Sequence, residues 1–312
     1  MKRALVSVVI PARNAAPTIE RALASVLAQD YRPMTAIVID DGSRDATAAM
    51  VLRFADPPVR LIRLPEPRGA AGARNAGIEA ATGSIVAFQD ADDEWMPGKL
   101  TRQVELLTSD ARFALVACGA SFVSPVGEEL GPLFGGQTPE RGPRAWPGLL
   151  ARNTIATPTV VTWRHMLLAE GGFDERLAVA EDQDMWIRLA MRGHLGYLDA
   201  PLVRVHATPN SLSAVGAAGG IRQQIEFTLP MVKRHVAAER NRLSPEEIRR
   251  IYGERWGRLG RAAYSFGYHA EGLRLIARAV LLGFEPLENF RFLIGTTPPI
   301  SWLKRLVRTG RM

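Results

Sequence analysis

The chain has 312 residues, enough for an α/β domain with an appendage, and its 47% hydrophobic and 23% charged content excludes a disordered protein. Its net charge of +7, with much of the Lys and Arg in the last third, favours anionic partners such as nucleotide phosphates or acidic lipids over nucleic acid, for which no base-stacking module is visible. One cysteine, Cys118, excludes an internal disulfide and fits a reducing, cytoplasmic compartment.

The N-terminal apolar run predicts a first strand. Leu5 to Ile10 is continuous and rich in β-branched residues, as in a strand buried on both faces. The two basic residues before it resemble the start of a signal peptide, but the run is too short and Arg13-Asn14 stand where a cleavage site is needed. No apolar stretch approaches the ~20 residues of a membrane span.

Strand-like and helix-like segments then alternate. Strands are expected at Ala36–Ile39, Val59–Leu64, Ser84–Phe88 and Phe113–Cys118. Helices are expected at Pro17–Ala28, Asp45–Phe54, Ala71–Ala81 and Pro97–Leu107. Such alternation with short links predicts an α/β fold with a mostly parallel sheet flanked by helices.

The second half is less regular. Pro132–Gly148 is rich in Gly and Pro, which predicts a long loop. Strands at Thr159–Trp163 and Pro201–His206 enclose a helix at Asp182–Met191. From about Gly220 the pattern is helical, with an antiparallel helix pair around Tyr268. A boundary is expected near Ala214–Gly220, giving domains at 1–215 and 216–312.

An acidic cluster follows the strand that ends at Phe88. Asp90 and Asp92 are two residues apart, so in an extended segment their side chains point the same way. Carboxylates are the ligands that Mg²⁺ and Mn²⁺ prefer. The alternative is a solvated loop in which Asp93 or Glu94 favours the start of the next helix.

Two further polar clusters follow strand ends, where ligands bind in open α/β sheets. Asp40 and Asp41 could accept hydrogen bonds from a base or a ribose, while Ser43 or Asp45 caps the next helix. Arg74 begins a glycine-rich helix and could face a diphosphate, although a packing role for the glycines is an equal alternative. The spacing does not match a dinucleotide fingerprint.

Acidic residues also open the helix at Asp182. Glu181, Asp182 and Asp184 are favourable at a helix N-terminus by ~0.3–1 kcal/mol without any functional role. Capping does not account for the neighbouring Trp186, which favours a functional role for the segment. Taken alone, His206 is best interpreted as a surface histidine.

In this order, the motifs resemble the family 2 glycosyltransferases, which have the GT-A fold. The matching segments are VSVVIPARN, VIDDGSRDAT, GAAGARNAGIEAATG, FQDADDEW, GGFDERL with EDQDMWIRL, and RVH. The resemblance covers about Val6 to His206, and the helical C-terminal region lies outside it.

The resemblance implies roles for single residues. Asp41 would contact the base, Asp182 of the Glu181–Asp182 pair would be the catalytic base, and His206 matches a histidine that completes the metal site in some members. Asp90, Asp92 and Asp93 match the D-x-D region, which holds Mn²⁺ or Mg²⁺ and the ribose-diphosphate. Because the motif reads D-A-D-D, which two of the three aspartates contact the metal stays open; Asp92, Asp93 and His206 are the predicted metal ligands. The nucleotide-binding positions are Pro11, Arg13, Asn14, Asp40, Asp41, Arg74, Asp90 and Asp92.

The implied activity is the transfer of a sugar from a nucleotide-diphosphate sugar, expected to be a UDP-sugar, to a hydroxyl of a glycan or lipid-linked acceptor in polysaccharide or cell-envelope biosynthesis. A metal-assisted single displacement, with Asp182 as general base, would invert the anomeric centre. Two alternatives stay open. A sugar nucleotidyltransferase would need a glycine-rich phosphate loop where this chain has PARNAAPT, and a non-catalytic binding module would have a damaged site.

The last segment, SWLKRLVRTGRM, has the pattern of an amphipathic helix. Trp302, Leu303, Leu306 and Val307 share one helical face, and the basic residues lie largely elsewhere. Such a helix can lie in an anionic membrane interface, here the inner face of the cytoplasmic membrane, or pack back on the protein.

Overall fold

The chain divides into two compact units in a computed structural model that describes residues 3–54, 58–207 and 218–296. The first unit comprises Met1–Leu149 and Asn153–Ser211, and the second comprises Leu150–Arg152 and Leu212–Met312. The boundary expected near 214–220 falls partly, at 214–217, outside the described residues, as does the amphipathic segment at 301–312.

The first unit is built on one sheet. Within the described ranges its strands are β1 (Val6–Ala12), β2 (Met34–Asp40), β3 (Val59–Arg63), β4 (Ile85–Phe88), β5 (Glu94–Trp95), β6 (Phe113–Val123), β7 (Glu129–Pro132), β8 (Val161–Trp163) and β9 (His194–His206). Their order is β3-β2-β1-β4-β8-β6-β9-β5, with β7 paired to β6. The predicted parallel pairing is confirmed for β3, β2, β1 and β4. The other half is mixed, because β8 runs antiparallel to both β4 and β6 whereas β6 and β9 are parallel.

Helices cover this sheet. They are α1 (Ile19–Leu27), α2 (Thr47–Leu52), α3 (Gly69–Ala80), α4 (Lys99–Ser109), α5 (Trp146–Ala151), α6 (Arg164–Ala169) and α7 (Glu181–Arg192). Alternate side chains of β1 point to opposite faces of the sheet, and each face is covered by a different helix. Val8 and Ile10 enter the core cluster that contains Ile19 and Leu23 of α1, whereas Val9 faces Gly77 of α3 on the opposite side.

The structure corrects the sequence-based elements in the second half. The loop predicted at Pro132–Gly148 contains the end of β7 and the first turn of α5, where the fully buried Trp146 fixes the helix against the core. Strand β5 and helix α6 were not expected, and β9 begins at His194 instead of Pro201. Strand β9 is longer than predicted because it pairs with β6 from His194 to His206. This pairing joins segments far apart in the sequence, so the local sequence pattern does not predict it.

The described part of the second unit is helical. After α8 (Ala218–Gln223) and a π-helical turn (Gln224–Thr228) come α9 (Leu229–Ala238), α10 (Pro245–Ser265), α11 (His269–Leu281) and α12 (Pro286–Thr296). The predicted antiparallel pair around Tyr268 is confirmed as α10 and α11. Glycines permit their close packing, because a Cβ on Gly272 would lie 2.7 Å from the backbone nitrogen of Tyr264. No helix in the described ranges is both long and apolar enough to cross a bilayer.

Candidate functional site

The polar clusters meet at one edge of the sheet. Because β1 lies between β2 and β4 and is parallel to both, the carboxyl ends of these three strands are adjacent. After β1, the exposed Arg13 and Asn14 follow Pro11, and the backbone N–H of Asn14 donates to Ser43 Oγ at 3.0 Å. The side-chain oxygen of Asn14 accepts from the backbone N–H of Arg44 at 2.9 Å. The loops after β1 and β2 therefore brace each other.

Asp40 and Asp41 are almost fully buried at the end of β2. Asp40 accepts from the backbone N–H of Ser43 at 2.9 Å and pairs with Arg63 at 3.2 Å. Asp41 accepts from the backbone N–H groups of Arg68 and Gly69, at 2.6 and 2.9 Å, and so satisfies donors at the start of α3. Asp41 thus caps the start of α3, which the sequence did not predict; the sequence assigned capping to Ser43 or Asp45, at the helix directly after β2.

The acidic segment after β4 forms a turn. The backbone N–H of Asp93 donates to the carbonyl of Asp90 at 3.2 Å, so the segment does not follow the extended path assumed from the spacing. Gln89, buried beneath the turn, donates from Nε2 to the Asp93 carbonyl at 2.8 Å. Arg21 of α1 donates to the Asp92 carbonyl at 2.5 Å. The turn is therefore fixed from both sides.

Asp93 and His206 connect this turn to β9. Asp93 Oδ1 accepts from the backbone N–H of His206 at 3.0 Å. Burial, together with repulsion from Asp90 and Asp92, holds the pKa of Asp93 well above its ordinary value. Burial and the nearby Arg21 lower the pKa of His206, which favours a neutral imidazole. Asp90 and Asp92 thus lie close enough to Asp93 to oppose its ionisation.

The N-terminus of α7 presents a second acidic pair. Ala180 precedes it with a left-handed φ of 66°, a conformation that costs a non-glycine residue about 1 kcal/mol or more. Asp182 Oδ2 accepts from Thr157 Oγ1 at 3.2 Å, and Oδ1 accepts from the backbone N–H of Gln183 at 2.6 Å. Burial and the adjacent Glu181 raise the pKa of Asp182 to about 6, although Arg74 opposes the shift. Asp184 pairs with Arg188 within the helix.

Arg74 joins the two acidic groups. Its guanidinium is 7% exposed and pairs with Asp90 at 3.1 Å and with Glu181 at 2.7 Å. It also lies over the ring of Phe173, with its Cζ 5.6 Å from the ring centroid. Both carboxylates raise the pKa of Arg74, which therefore stays charged. The D-A-D-D turn and the start of α7 belong to one charge cluster.

Two supporting residues, Thr157 and Gln183, were not identified from the sequence, and Trp186, which the sequence associated with a functional role, has a packing role. Thr157 orients Asp182, and Gln183 donates from Nε2 to the carbonyl of Leu149 at 2.5 Å. Trp186 is fully buried and packs against Phe88 and Phe173, with ring centroids 5.6 and 5.7 Å apart, so its role is to fix α7 on the sheet. The only signal in the sequence was the presence of a bulky aromatic beside the acids.

A small cavity of about 140 Å³ adjoins the segment that supports Asp182. Ala156 and Thr159, on either side of Thr157, contribute to its wall. Tyr197 and the 132–138 segment contribute further parts of the wall, together with other residues of β6 and β9. The segment predicted to be a long loop thus borders a cavity next to Thr157, which contacts Asp182.

No three His, Cys, Asp or Glu side chains converge closely enough to hold a metal ion by themselves in the ranges that the structure describes. Asp92, Asp93 and His206 are brought to one region, but by themselves they do not form a metal-binding group. Substrate phosphates commonly complete such sites when the metal is Mg²⁺.

Known proteins match the chain in sequence. The model of glycosyl transferase family 2 matches residues 7–161. The amylovoran biosynthesis glycosyltransferase AmsB of Erwinia amylovora is 33% identical over 229 residues, which are 66% of this chain and 71% of AmsB. The UDP-Glc:alpha-D-GlcNAc-diphosphoundecaprenol beta-1,3-glucosyltransferase WfgD of Escherichia coli is 41% identical over 103 residues, 33% of this chain and 41% of WfgD. The chain spans 32% to 41% of the length of the first curated relatives that it matches.

Known structures match the fold. The crystal structure of Staphylococcus aureus TarS 1–349 in complex with UDP superposes with a TM-score of 0.56. The match covers 98% of this chain and 92% of that chain at 18% identity, which shows a shared fold alone.

Proposed function

Because the chain belongs to glycosyl transferase family 2, as its match over 71% of AmsB shows, we propose that it transfers a sugar from a nucleotide-diphosphate sugar to an acceptor hydroxyl. The observation that carries the proposal is the position of Arg74, which pairs with Asp90 at 3.1 Å and with Glu181 at 2.7 Å. One buried cation thereby couples the acidic turn at the strand ends to the helix that carries Asp182. A donor site and a base are the two parts that sugar transfer requires.

Asp182 is the proposed general base. Its raised pKa of about 6 leaves it ionised at neutral pH yet more basic than an ordinary aspartate. As the acceptor oxygen bonds to the anomeric carbon, the bond from that carbon to the diphosphate oxygen breaks and the hydroxyl proton passes to Asp182. One displacement of this kind inverts the anomeric centre. The charge of Glu181, which pairs with Arg74, adds to the effect of burial in raising the pKa of Asp182 and so increases its basicity.

The nucleotide is assigned to the carboxyl ends of β1, β2 and β4. We assign the base to Pro11, Arg13 and Asn14 with Asp41, and the ribose-diphosphate to the region of Asp40, Arg74, Asp90 and Asp92. A UDP-sugar is the proposed donor, in keeping with the UDP bound to TarS and the UDP-Glc named for WfgD. The braced loops after β1 and β2 support a fixed pocket.

The residues of the D-A-D-D turn fit a divalent cation, Mn²⁺ or Mg²⁺. Burial and the charges of Asp90 and Asp92 disfavour the ionised form of Asp93. His206 Nε2 is buried and makes no hydrogen bond among the described residues; Glu94 Oε2 lies 3.7 Å away. We assign the ion to Asp92, Asp93 and His206, while Arg74 pairs with Asp90. When bound, the cation would supply positive charge beside the diphosphate leaving group.

The acceptor is proposed to be a glycan or a diphosphate-linked lipid in polysaccharide biosynthesis, as the names of WfgD and AmsB suggest. The cavity beside Thr157 is a suitable approach to Asp182. Peripheral contact with the cytoplasmic face of a membrane would bring a lipid-linked acceptor to the enzyme.

Thermal stabilisation by nucleotide-sugars tests the proposal. A ligand that binds the native state raises its melting temperature by mass action. We expect UDP and at least one UDP-sugar to raise the melting temperature only when Mn²⁺ or Mg²⁺ is present. GDP should raise the melting temperature less. When a diphosphate-linked acceptor is added with the UDP-sugar, UDP should be released. If no nucleotide shifts the melting temperature with or without metal, the proposal is wrong.

A further inference from the structure

Asn75 of α3 binds a loop that lies outside the residues assigned to the reaction. The loop comprises residues 171–175, between α6 and α7. Asn75 Nδ2 donates to the backbone carbonyl of Phe173 at 3.0 Å, and its Oδ1 accepts from the backbone N–H of the same residue at 2.7 Å. Nδ2 also donates to the carboxylate of Glu175 at 2.9 Å. Both polar atoms of the Asn75 amide are therefore bound to the 171–175 loop.

Gly172 permits this close approach. It has a left-handed φ of 77°, and a Cβ there would lie 2.5 Å from Asn75 Oδ1. In addition, Arg188 of α7 donates to the carbonyl of Gly172 at 2.9 Å. The 171–175 loop is thus bound to α3, which carries Arg74, and to α7, which carries Asp182 in its first turn.

The side chain that this loop brings into the site is Phe173. It is 2% exposed, and its ring centroid lies 5.5 Å from that of Phe88 and 5.7 Å from that of Trp186. The guanidinium of Arg74 lies over the same ring, where a cation is attracted to the negative ring face. Asn75 therefore fixes the backbone of the residue whose ring supports Arg74.

We propose that Asn75 is a positioning residue for sugar transfer, because it holds Phe173 where the ring keeps Arg74 paired with both Asp90 and Glu181. The proposal rests on the proposed function, in which these ion pairs connect the donor site to the helix of the base. Both polar atoms of Asn75 are bound to protein, so it acts through Arg74 and not on the substrates. A displacement of about 1 Å near the reacting groups can slow a reaction by up to about a hundredfold.

Displacement of Arg74 also changes the electrostatics of the base. Burial and the charge of Glu181 raise the pKa of Asp182, and Arg74 lowers it. When the guanidinium moves away, the pKa of Asp182 rises further, so the ionised form that accepts the proton appears only at higher pH. A general loss of stability does not move this pKa.

Single-turnover transfer by Asn75→Ala, over a pH range that spans about 6, tests this role. We expect the plateau rate above the pKa to fall about tenfold or more, and the midpoint of the pH profile to move upward by about 0.5 or more. Asn75→Asp should also be slow, because its carboxylate repels Glu175. Adding Glu175→Gln restores a donor and an acceptor between the two side chains and should recover part of the rate.

Tyr31→Phe is the control for lost stability. It removes the hydrogen bond from Tyr31 Oη to the carbonyl of Ala4, 2.7 Å long, at the amino end of β1 and away from the site. Its plateau rate and midpoint should equal those of wild type. If Asn75→Ala does not fold, as judged by circular dichroism, recovery of Asn75→Asp by Glu175→Gln supports the role, and absence of recovery overturns it.

The outcomes separate the role of Asn75 from the proposed function. An Asn75→Ala variant that folds and has the wild-type plateau rate and midpoint overturns the positioning role, while transfer by wild type still supports the proposed function. Slower transfer by Asn75→Ala with an unchanged midpoint shows that Arg74 has not moved, and it also overturns the role. If wild type transfers no sugar, the proposed function and the role of Asn75 are both wrong.

Discussion

At the scale of single residues, Arg74 determines the electrostatics of the site. The sequence placed Arg74 near a diphosphate but not between Asp90 and Glu181, which are 16 and 107 residues away. Pairs so distant in sequence form only when the sheet brings β4 and α7 together. The residue types of the site could therefore be predicted from the sequence, whereas their ion pairs could not.

Asp92→Ala tests the acidic turn. Asp92 lies in a partly buried surface turn, so we expect the variant to fold. Loss of a carboxylate ligand should abolish transfer and weaken Mn²⁺-dependent UDP binding about tenfold or more, measured by calorimetry. Asp199→Ala, at an exposed position, is the control and should bind UDP normally. If Asp92→Ala binds UDP with unchanged affinity and metal dependence, the turn has no metal role.

Asp182→Asn tests the cost of the raised pKa. A carboxyl whose folded pKa is about 6 instead of 3.8 keeps its proton more strongly in the native state, so its contribution to stability is lost as pH rises through that window. Asp182→Asn removes the ionisation. At pH above 6, we expect Asp182→Asn to raise the free energy of unfolding by on the order of 1–3 kcal/mol relative to wild type. Near pH 3.8, the ordinary pKa of an aspartate, the two proteins should differ little in stability. Denaturant unfolding at both pH values checks this expectation. An Asp182→Asn variant no more stable than Asp199→Asn at neutral pH would contradict it.

At the scale of elements, α3 carries Arg74 and rests directly on β1. A Cβ on Gly77 would lie 2.3 Å from Val9 Cγ1, so only glycine permits this approach. Gly77 is one turn from Arg74 along the helix, and a shift of α3 would therefore move the guanidinium away from Asp90 and Glu181. Gly77 therefore has a packing role, which agrees with the packing interpretation of this segment at that one position.

Gly77→Ala tests this contact. We expect it to destabilise the protein by about 1–3 kcal/mol through overpacking and to slow transfer because Arg74 moves. Adding Val9→Ala makes space for the new methyl group, so the double variant should be more stable than the sum of the two single changes predicts. Denaturant unfolding of the four proteins measures the coupling. Strictly additive effects would show that the two side chains do not compete for space.

The elements that the sequence missed share a physical cause. Strand β5 has two residues and exists because Glu94 and Trp95 pair with β9. Helix α5 begins inside a segment rich in Gly and Pro, where burial of Trp146 outweighs the weak local propensity. The first four strands and their helices were predictable because continuous apolar runs and amphipathic periods are local signals.

At the scale of the whole molecule, charge separates the two regions of the chain. Residues 218–312 contain 17 Lys and Arg against 8 Asp and Glu, whereas residues 1–217 contain 22 against 24. Helices α11 and α12 also expose large apolar side chains, with Leu281 84%, Leu287 71% and Phe290 62% exposed. Basic and apolar residues together are typical of a surface that contacts anionic lipid.

Removal of the last segment tests membrane contact. Each basic residue near an anionic surface adds about 1 kcal/mol, and the segment after Thr297 contains four. We expect the full chain to co-sediment with phosphatidylglycerol vesicles, less so as salt rises, and a version ending near Thr297 to bind more weakly. Phosphatidylcholine vesicles are the control. If neither version binds the vesicles at any salt concentration, the segment does not contact the membrane, and packing against protein is its role.

Single-turnover transfer by wild type and Asp182→Asn, over a pH range that spans about 6, tests the central claim most directly. The wild-type rate should rise with pH through the pKa of Asp182 and then level off. Above that pKa, Asp182→Asn should be at least about a hundredfold slower than wild type while binding UDP normally, because it cannot accept the acceptor proton, and the difference should shrink as pH falls below it. Near-normal transfer by Asp182→Asn, or a wild-type rate that does not change across that range, would contradict Asp182 as the base.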